Sequence, residues 1–348
     1  ICIGLEDKLG IHASPTCVMS FGEKSGAKGF LLGEENKGLA CMFTMMNNAR
    51  LNVGMQGVGI AERSLQQSFA YSKERKQGRH YDGSSNNSTN IIEHPDVLKM
   101  ILKMESLTQA SRAICYDNAI AIDLAQNHSD KKIREKYQLK ADLLTPISKS
   151  WATNVGVEVS SLGIQVHGGM GFIEDTGVAQ YYRDSRIAPI YEGTNGIQAL
   201  DLMFRKLPLD NGQAMQRLLG DVQKVIDEMK EDDEIISSMA EKLEKEVATL
   251  SEVTLWLGSR MLEGELVDAS AAASPYLKMF GQVLGGYYMG KAAMLANKKF
   301  KETNDEFYSD KLTLSKFYIE QLLPLTSGYA SAVTAGKEDL YAMKAENF

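Results

Sequence analysis

Residues 35–76 read "ENKGLACMFTMMNNARLNVGMQGVGIAERSLQQSFAYSKERK". Apolar residues such as Val58, Leu65 and Phe69 recur at the spacing of one helix face. The run predicts a helix over 35–78 and makes the protein mainly α. Gly54, Gly57 and Gly59 each cost about 1 kcal/mol against alanine inside a helix. They do not complete G-x-G-x-x-G, because Glu62 holds the last position. Close packing of a second helix is the expected reason for them.

On the N-terminal side, residues 1–32 predict β structure, with "VMSFG" and "AKGFLLG" as short strands around the turn "EKSG". On the C-terminal side, "GRHYDGSSNNSTN" (78–90) predicts an exposed loop. Helices are then expected from Pro95 to Asn127 and from Asp130 to Leu162, the second capped by Asp130. The glycine cluster "QVHGGMGF" follows, then a short helix around 175–185 and another after Thr194, running to Lys206. "KLPLDNG" (206–212) reads as a linker. Beyond it, four helices are expected at 213–230, 234–258, 269–298 and 309–336. "KEDDEIISSMAEKLEKE" is a solvated amphipathic face. "AAASPYLKMFGQVLGGYYMGKAAML" suits helix packing or a subunit contact. The expected division is 1–34, 35–206 and 207–348.

The 348 residues are 44% hydrophobic and 24% charged, an ordinary globular balance, and are enough to bury a sizeable core. A net charge of −7 and the lack of a basic stripe argue against nucleic acid as a partner. Cys2, Cys17, Cys41 and Cys115 are scattered, which predicts reduced, buried thiols in a cytoplasmic protein, without a disulfide framework or metal site. No apolar run reaches the about 18 residues of a membrane span. The opening "ICIGLEDK" reads as the inside of a strand, so a preceding portion is expected.

The chemistry centres on "APIYEGTNGIQALDL", 188–202. Thr194 or Asn195 can cap the helix that follows. Glu192 then stands just before a helix N-terminus, where the dipole favours a negative charge. With an apolar substrate excluding water, desolvation would raise its pKa and make it a stronger base. Tyr191 could form part of the apolar wall. In "QVHGGMGF", Gly168, Gly169 and Gly171 let a backbone approach a ligand, and Gln165 can donate and accept hydrogen bonds. That suits a pyrophosphate or adenine, or equally a tight turn between helices. His167 reads as a packed or surface residue, with no metal-ligand spacing around it. Lys73, Arg75, Lys76 and Arg79 form a basic helix end that could meet phosphates or simply be solvated. Arg50 stands in an otherwise uncharged run, so partial burial against a carboxylate is expected, with Glu192 a candidate partner.

The pieces "DKLGIHASPT", "MNNARLNVGMQGVGIAERS", "AYSKERKQGR", "QVHGGMGF" and "YYRDSRIAPIYEGTNGIQ" occur in an order and spacing that resemble the acyl-CoA dehydrogenases. The resemblance covers roughly 1–206. The region after it resembles the C-terminal extension of the subgroup that includes 3-methylmercaptopropionyl-CoA dehydrogenase. It implies the end of a middle β-domain, an acyl-CoA dehydrogenase C-terminal helical domain and a second helical bundle.

The resemblance also implies roles. Glu192 matches the base that removes the α-proton of an acyl-CoA thioester, with hydride passing to FAD and a trans-2-enoyl-CoA as product. Some relatives carry the base just before the arginine, where this chain has Ala49. Arg50 matches an arginine close to the base, and Tyr191 and Gly193 flank Glu192 on the substrate side. Arg75, Gln77, Gln165, Gly169 and Thr194 match FAD contacts, several of them made across a subunit interface. Gln77 departs from the usual hydroxyl residue, Gly78-Arg79 replace "FG", and Gly196 replaces a frequent glutamine. Implied partners are an acyl-CoA, an electron-transfer flavoprotein and further copies in a homodimer or homotetramer. An acyl-CoA oxidase and a non-catalytic binding or oligomerising protein are the alternatives.

Overall fold

A computed structural model describes residues 1–83 and 87–347. The N-terminal segment forms one antiparallel pair, β1 (Cys2–Leu5) and β2 (Cys17–Met19). The expected strand "AKGFLLG" is irregular, and Phe30, Leu31 and Leu32 lie exposed. A strand needs a ladder partner for its amides, and among the described residues this segment has none. The backbone amide of Ile11 donates to Asp184 Oδ1 at 2.6 Å, tying this segment to the helical body.

Three long helices follow: α1 (Gly38–Glu74), α2 (Pro95–Asn127) and α3 (Lys131–His167). Pro95 opens α2, where its missing N–H costs nothing. Asp130 caps α3 by accepting from the Lys132 amide at 2.8 Å. The loop between α1 and α2 is tied at its base, Gln77 N to Thr89 O at 3.0 Å and Thr89 N to Gly78 O at 3.2 Å. Residues 84–86 of that expected loop lie outside the described residues.

α1 and α3 pack through glycine. A Cβ at Gly54 would stand 2.7 Å from the Ser148 carbonyl oxygen, and one at Gly156 would stand 2.9 Å from that of Gly57. Gly59 faces open space and does not share this role. Val58 and Leu65 are buried, whereas Phe69 is 43% exposed beneath the Lys73 ammonium.

Short α4 (Val178–Ser185) and α5 (Asn195–Asp201) complete this part, and a π-helical turn continues α5 to Lys206. The linker is a tight turn in which Asp210 and Asn211 take left-handed conformations. Then come α6 (Gln213–Lys230), α7 (Glu234–Leu262), α8 (Leu266–Thr303), α9 (Glu306–Phe317) and α10 (Thr326–Thr334). The single helix expected over 309–336 is interrupted between α9 and α10. Pro324 lies there and cannot donate a backbone hydrogen bond.

One buried apolar cluster runs from Ala61 on α1 to Val333 on α10. Trp151 of α3 sits against α8, where a Cβ at Gly281 would fall 2.8 Å from its own Cβ. Tyr288 of α8 donates to Asp117 of α2 at 2.5 Å, and Asp117 also pairs with Lys140 at 2.7 Å. The small and aromatic residues of α8 therefore serve packing within the chain. Of the cysteines only Cys115 is buried; Cys2, Cys17 and Cys41 are exposed because the segments carrying them contribute little to the core. No helix among the described residues is long and apolar enough to cross a membrane.

Candidate active site

The turn between α4 and α5 carries Tyr191, Glu192, Gly193 and Thr194. Thr194 is the N-cap of α5, its hydroxyl accepting from the Ile197 amide at 3.2 Å. Glu192 has φ 55° and Gly193 φ 79°. Two successive left-handed residues turn the chain sharply into α5. Glycine does this without strain, and glutamate does not. Tyr191 anchors the entry by donating to Gln56 of α1. Burial and the neighbouring Glu192 push the phenol's pKa up. The Gln198 amide holds the exit, reaching the carbonyls of Glu192 and Gly193 at 3.3 Å each. A Cβ at Gly193 would stand 2.9 Å from that amide nitrogen. Glu192 itself is half-buried.

Arg50 is buried, as expected, but its ion partner is Asp201 of α5 rather than Glu192. Nη1 to Oδ2 is 2.9 Å, and both side chains are almost fully buried. Arg205 approaches the other carboxylate oxygen at 2.6 Å. Asp201 faces α1 directly from a packed helix, so its desolvated charge needs the guanidinium; Glu192 sits on the more open turn. The other guanidinium nitrogen of Arg50 lies beside Gly193.

Lys149 of α3 escaped the sequence reading. It is fully buried, and its ammonium donates to the Gly193 carbonyl at 2.8 Å and to Asn195 Oδ1 at 3.0 Å. Burial and nearby Arg50 push its pKa down to about 8, against the pull of Glu192. Its signal was the one that exposed Arg50, a lone charge in "LLTPISKSWATNVGV".

A second site lies at the far end of α1. Arg75, Gln77, Gln165 and Gly169 line one cavity of about 780 Å³ together with Tyr71, Arg79 and Asp96. The guanidinium groups of Arg75 and Arg79 make no ion pair among the described residues. Where a Cβ would stand at Gly168 and Gly169 the space is open, so backbone is presented to the cavity. His167 is a packing residue: its ring stacks on Tyr71 at 4.3 Å and Nδ1 bonds the Gly163 carbonyl at 2.7 Å. Thr194 does not join this group. Arg50 lies on α1 and Arg75 directly follows its C-terminal end, 25 residues on, which at helical rise puts them about 37 Å apart. No group of three or more His, Cys, Asp or Glu suited to a metal ion occurs among the described residues.

Two family models match in succession: acyl-CoA dehydrogenase, C-terminal domain, over residues 36–207, and acetyl-CoA dehydrogenase C-terminal like over 218–344. The chain is 40% identical over 335 residues to the 3-methylmercaptopropionyl-CoA dehydrogenase of Ruegeria pomeroyi, covering 96% of this chain and 56% of that protein. It thus spans about half the length of the curated relatives it matches. Among solved structures, Caenorhabditis elegans ACDH-11 in complex with C11-CoA aligns at a TM-score of 0.76 and 21% identity, over 99% of this chain and 54% of that one. An acyl-CoA dehydrogenase complexed with FAD from Bacillus anthracis aligns at 0.69 and 23%, over 99% and 57%. At those identities the likeness establishes the fold.

Proposed function

Since this chain belongs to the acyl-CoA dehydrogenase family, we propose that it is the C-terminal catalytic part of an FAD-dependent enzyme that desaturates an acyl-CoA to a trans-2-enoyl-CoA. The observation that carries this is the turn at Glu192. A carboxylate is held in a left-handed conformation by α1, α3 and α5 at once. Strain of that kind persists where surrounding structure over-determines it, as at active sites.

Glu192 accepts the α-proton of the thioester. Arg50, fixed by Asp201, keeps a positive charge beside the turn, and Tyr191 lines the approach. The bound flavin supplies the acceptor for the hydride leaving the β-carbon.

The cavity at Arg75 fits the phosphates and adenosine of FAD. It offers two guanidinium groups that have no ion pair among the described residues, an open glycine backbone and Gln165. Bidentate guanidinium geometry suits phosphate oxygens. Gln56, which anchors Tyr191, precedes Arg75 by 19 residues, about 28 Å at helical rise. In this reading a flavin would lie between two copies, with Arg75, Gln77, Gln165 and Gly169 coming from one and Glu192 and Thr194 from the other. The physiological electron acceptor is proposed to be an electron-transfer flavoprotein.

The test is anaerobic mixing of the FAD-loaded protein with a panel of saturated acyl-CoAs. Bleaching of the flavin absorbance by at least one of them, with the enoyl-CoA as product, is expected. A flavin that no acyl-CoA reduces overturns the reading.

A further inference from the structure

Burying an ammonium is costly unless a counter-charge or good acceptors replace its water. Among the described residues no carboxylate stands within ion-pair distance of Lys149. What offsets the cost is two oxygens, the Gly193 carbonyl at 2.8 Å and Asn195 Oδ1 at 3.0 Å. Both belong to the segment that carries Glu192. Asn195 is pinned in turn, its amide reaching Ser150 O at 3.2 Å, Thr153 Oγ1 at 3.1 Å and Asn154 Oδ1 at 2.9 Å, all on α3. The charges facing Lys149 are Arg50 from α1 and Glu192 from the turn. Asp201 of α5 is engaged by Arg50 and Arg205.

For stability alone, an apolar side chain of similar length would fill this position at lower cost. The retained cation therefore points to the turn it touches. We propose that Lys149 is the positioning residue for Glu192: its buried ammonium holds the Gly193 carbonyl and the Asn195 side chain, and so fixes the left-handed turn while placing a positive charge near the carboxylate. This rests on Glu192 being the base, but the hold on the turn is measurable without that premise.

The experiment compares wild type with Lys149→Met by amide hydrogen exchange and by flavin reduction in the FAD-loaded protein. Protection at the Asn195, Ile197 and Gln198 amides is expected to fall by about tenfold, the loss of a charge-assisted bond, with the α2 and α3 core unchanged. The rate of flavin reduction is expected to fall by about 10²-fold through misplacement of the base, with the Kd of a non-reducible acyl-CoA analogue unchanged. Asn195→Ala, which leaves the ammonium one acceptor, should give the same pattern more weakly. Unchanged exchange at 195–198, or a rate and a Kd that move together, overturns the proposal. Should Glu192→Gln still reduce flavin at the wild-type rate, the base assignment fails, and the exchange data still decide whether Lys149 holds the turn.

Discussion

Four charged side chains share one small volume around the 191–194 turn, and they are held in three different ways. Asp201 and Arg50 neutralise each other, Glu192 stands on a strained backbone, and Lys149 is solvated by oxygens alone. The Lys149 pKa lies near 8 in the folded protein against 10.5 ordinarily. Between those values the unfolded chain carries a proton that the folded chain lacks, so this group makes stability rise with pH there. Its destabilising effect is fully present below about pH 8. Urea unfolding at pH 7 and pH 9.5 should show wild type gaining stability relative to Lys149→Met as pH rises; a difference that does not move with pH contradicts this. Sequence made Arg50 visible because it was the lone charge in an apolar run, and Lys149 obeyed the same rule. The pairing of Arg50 was not visible. Glu192 and Asp201 are both close by, and only the packing of α5 on α1 decides which one loses its water.

At the scale of elements, helix positions were readable wherever caps, prolines and glycines punctuate an apolar period. Pro95, Asp130 and Thr194 mark starts that the structure shares. Where punctuation falls inside a run, as at Pro324, the sequence reading ran two elements together. The strand expected at "AKGFLLG" failed for another reason: a strand's identity depends on its partner, and none pairs with it among the described residues. The α1–α3 seam depends on glycines that let two backbones meet. Gly57→Ala would drive a Cβ into the backbone of α3 around Ala152. A loss of about 1–3 kcal/mol or more in denaturant unfolding is expected, as for other overpacked sites. Gly59→Ala on the same helix faces open space and should stabilise by up to about 1 kcal/mol. Equal effects at the two positions would contradict the packing account.

Over the whole molecule, α1 links the Glu192 turn to the cavity at Arg75. The turn that carries the proposed base packs against the middle of α1 at Gln56, and the cavity proposed for the dinucleotide lies at its C-terminal end. Sequence motifs named both halves, and the length of helix between them supports the proposal that they serve separate copies. Arg75→Ala should weaken FAD retention by about 10- to 100-fold, since a charge-assisted contact is lost; unchanged flavin content would count against the cavity. Oligomers mixed from Arg75→Ala and Glu192→Gln chains should regain activity that neither has alone, because one of the two sites is then intact. Mixed oligomers as inactive as their parents would place both halves in one chain. The central claim, that Glu192 is the base, is tested most directly by anaerobic stopped-flow reduction of the FAD-loaded Glu192→Gln protein by its best acyl-CoA. The account predicts normal flavin content and a reduction rate lower by about 10²–10⁴-fold; reduction at the wild-type rate would contradict it.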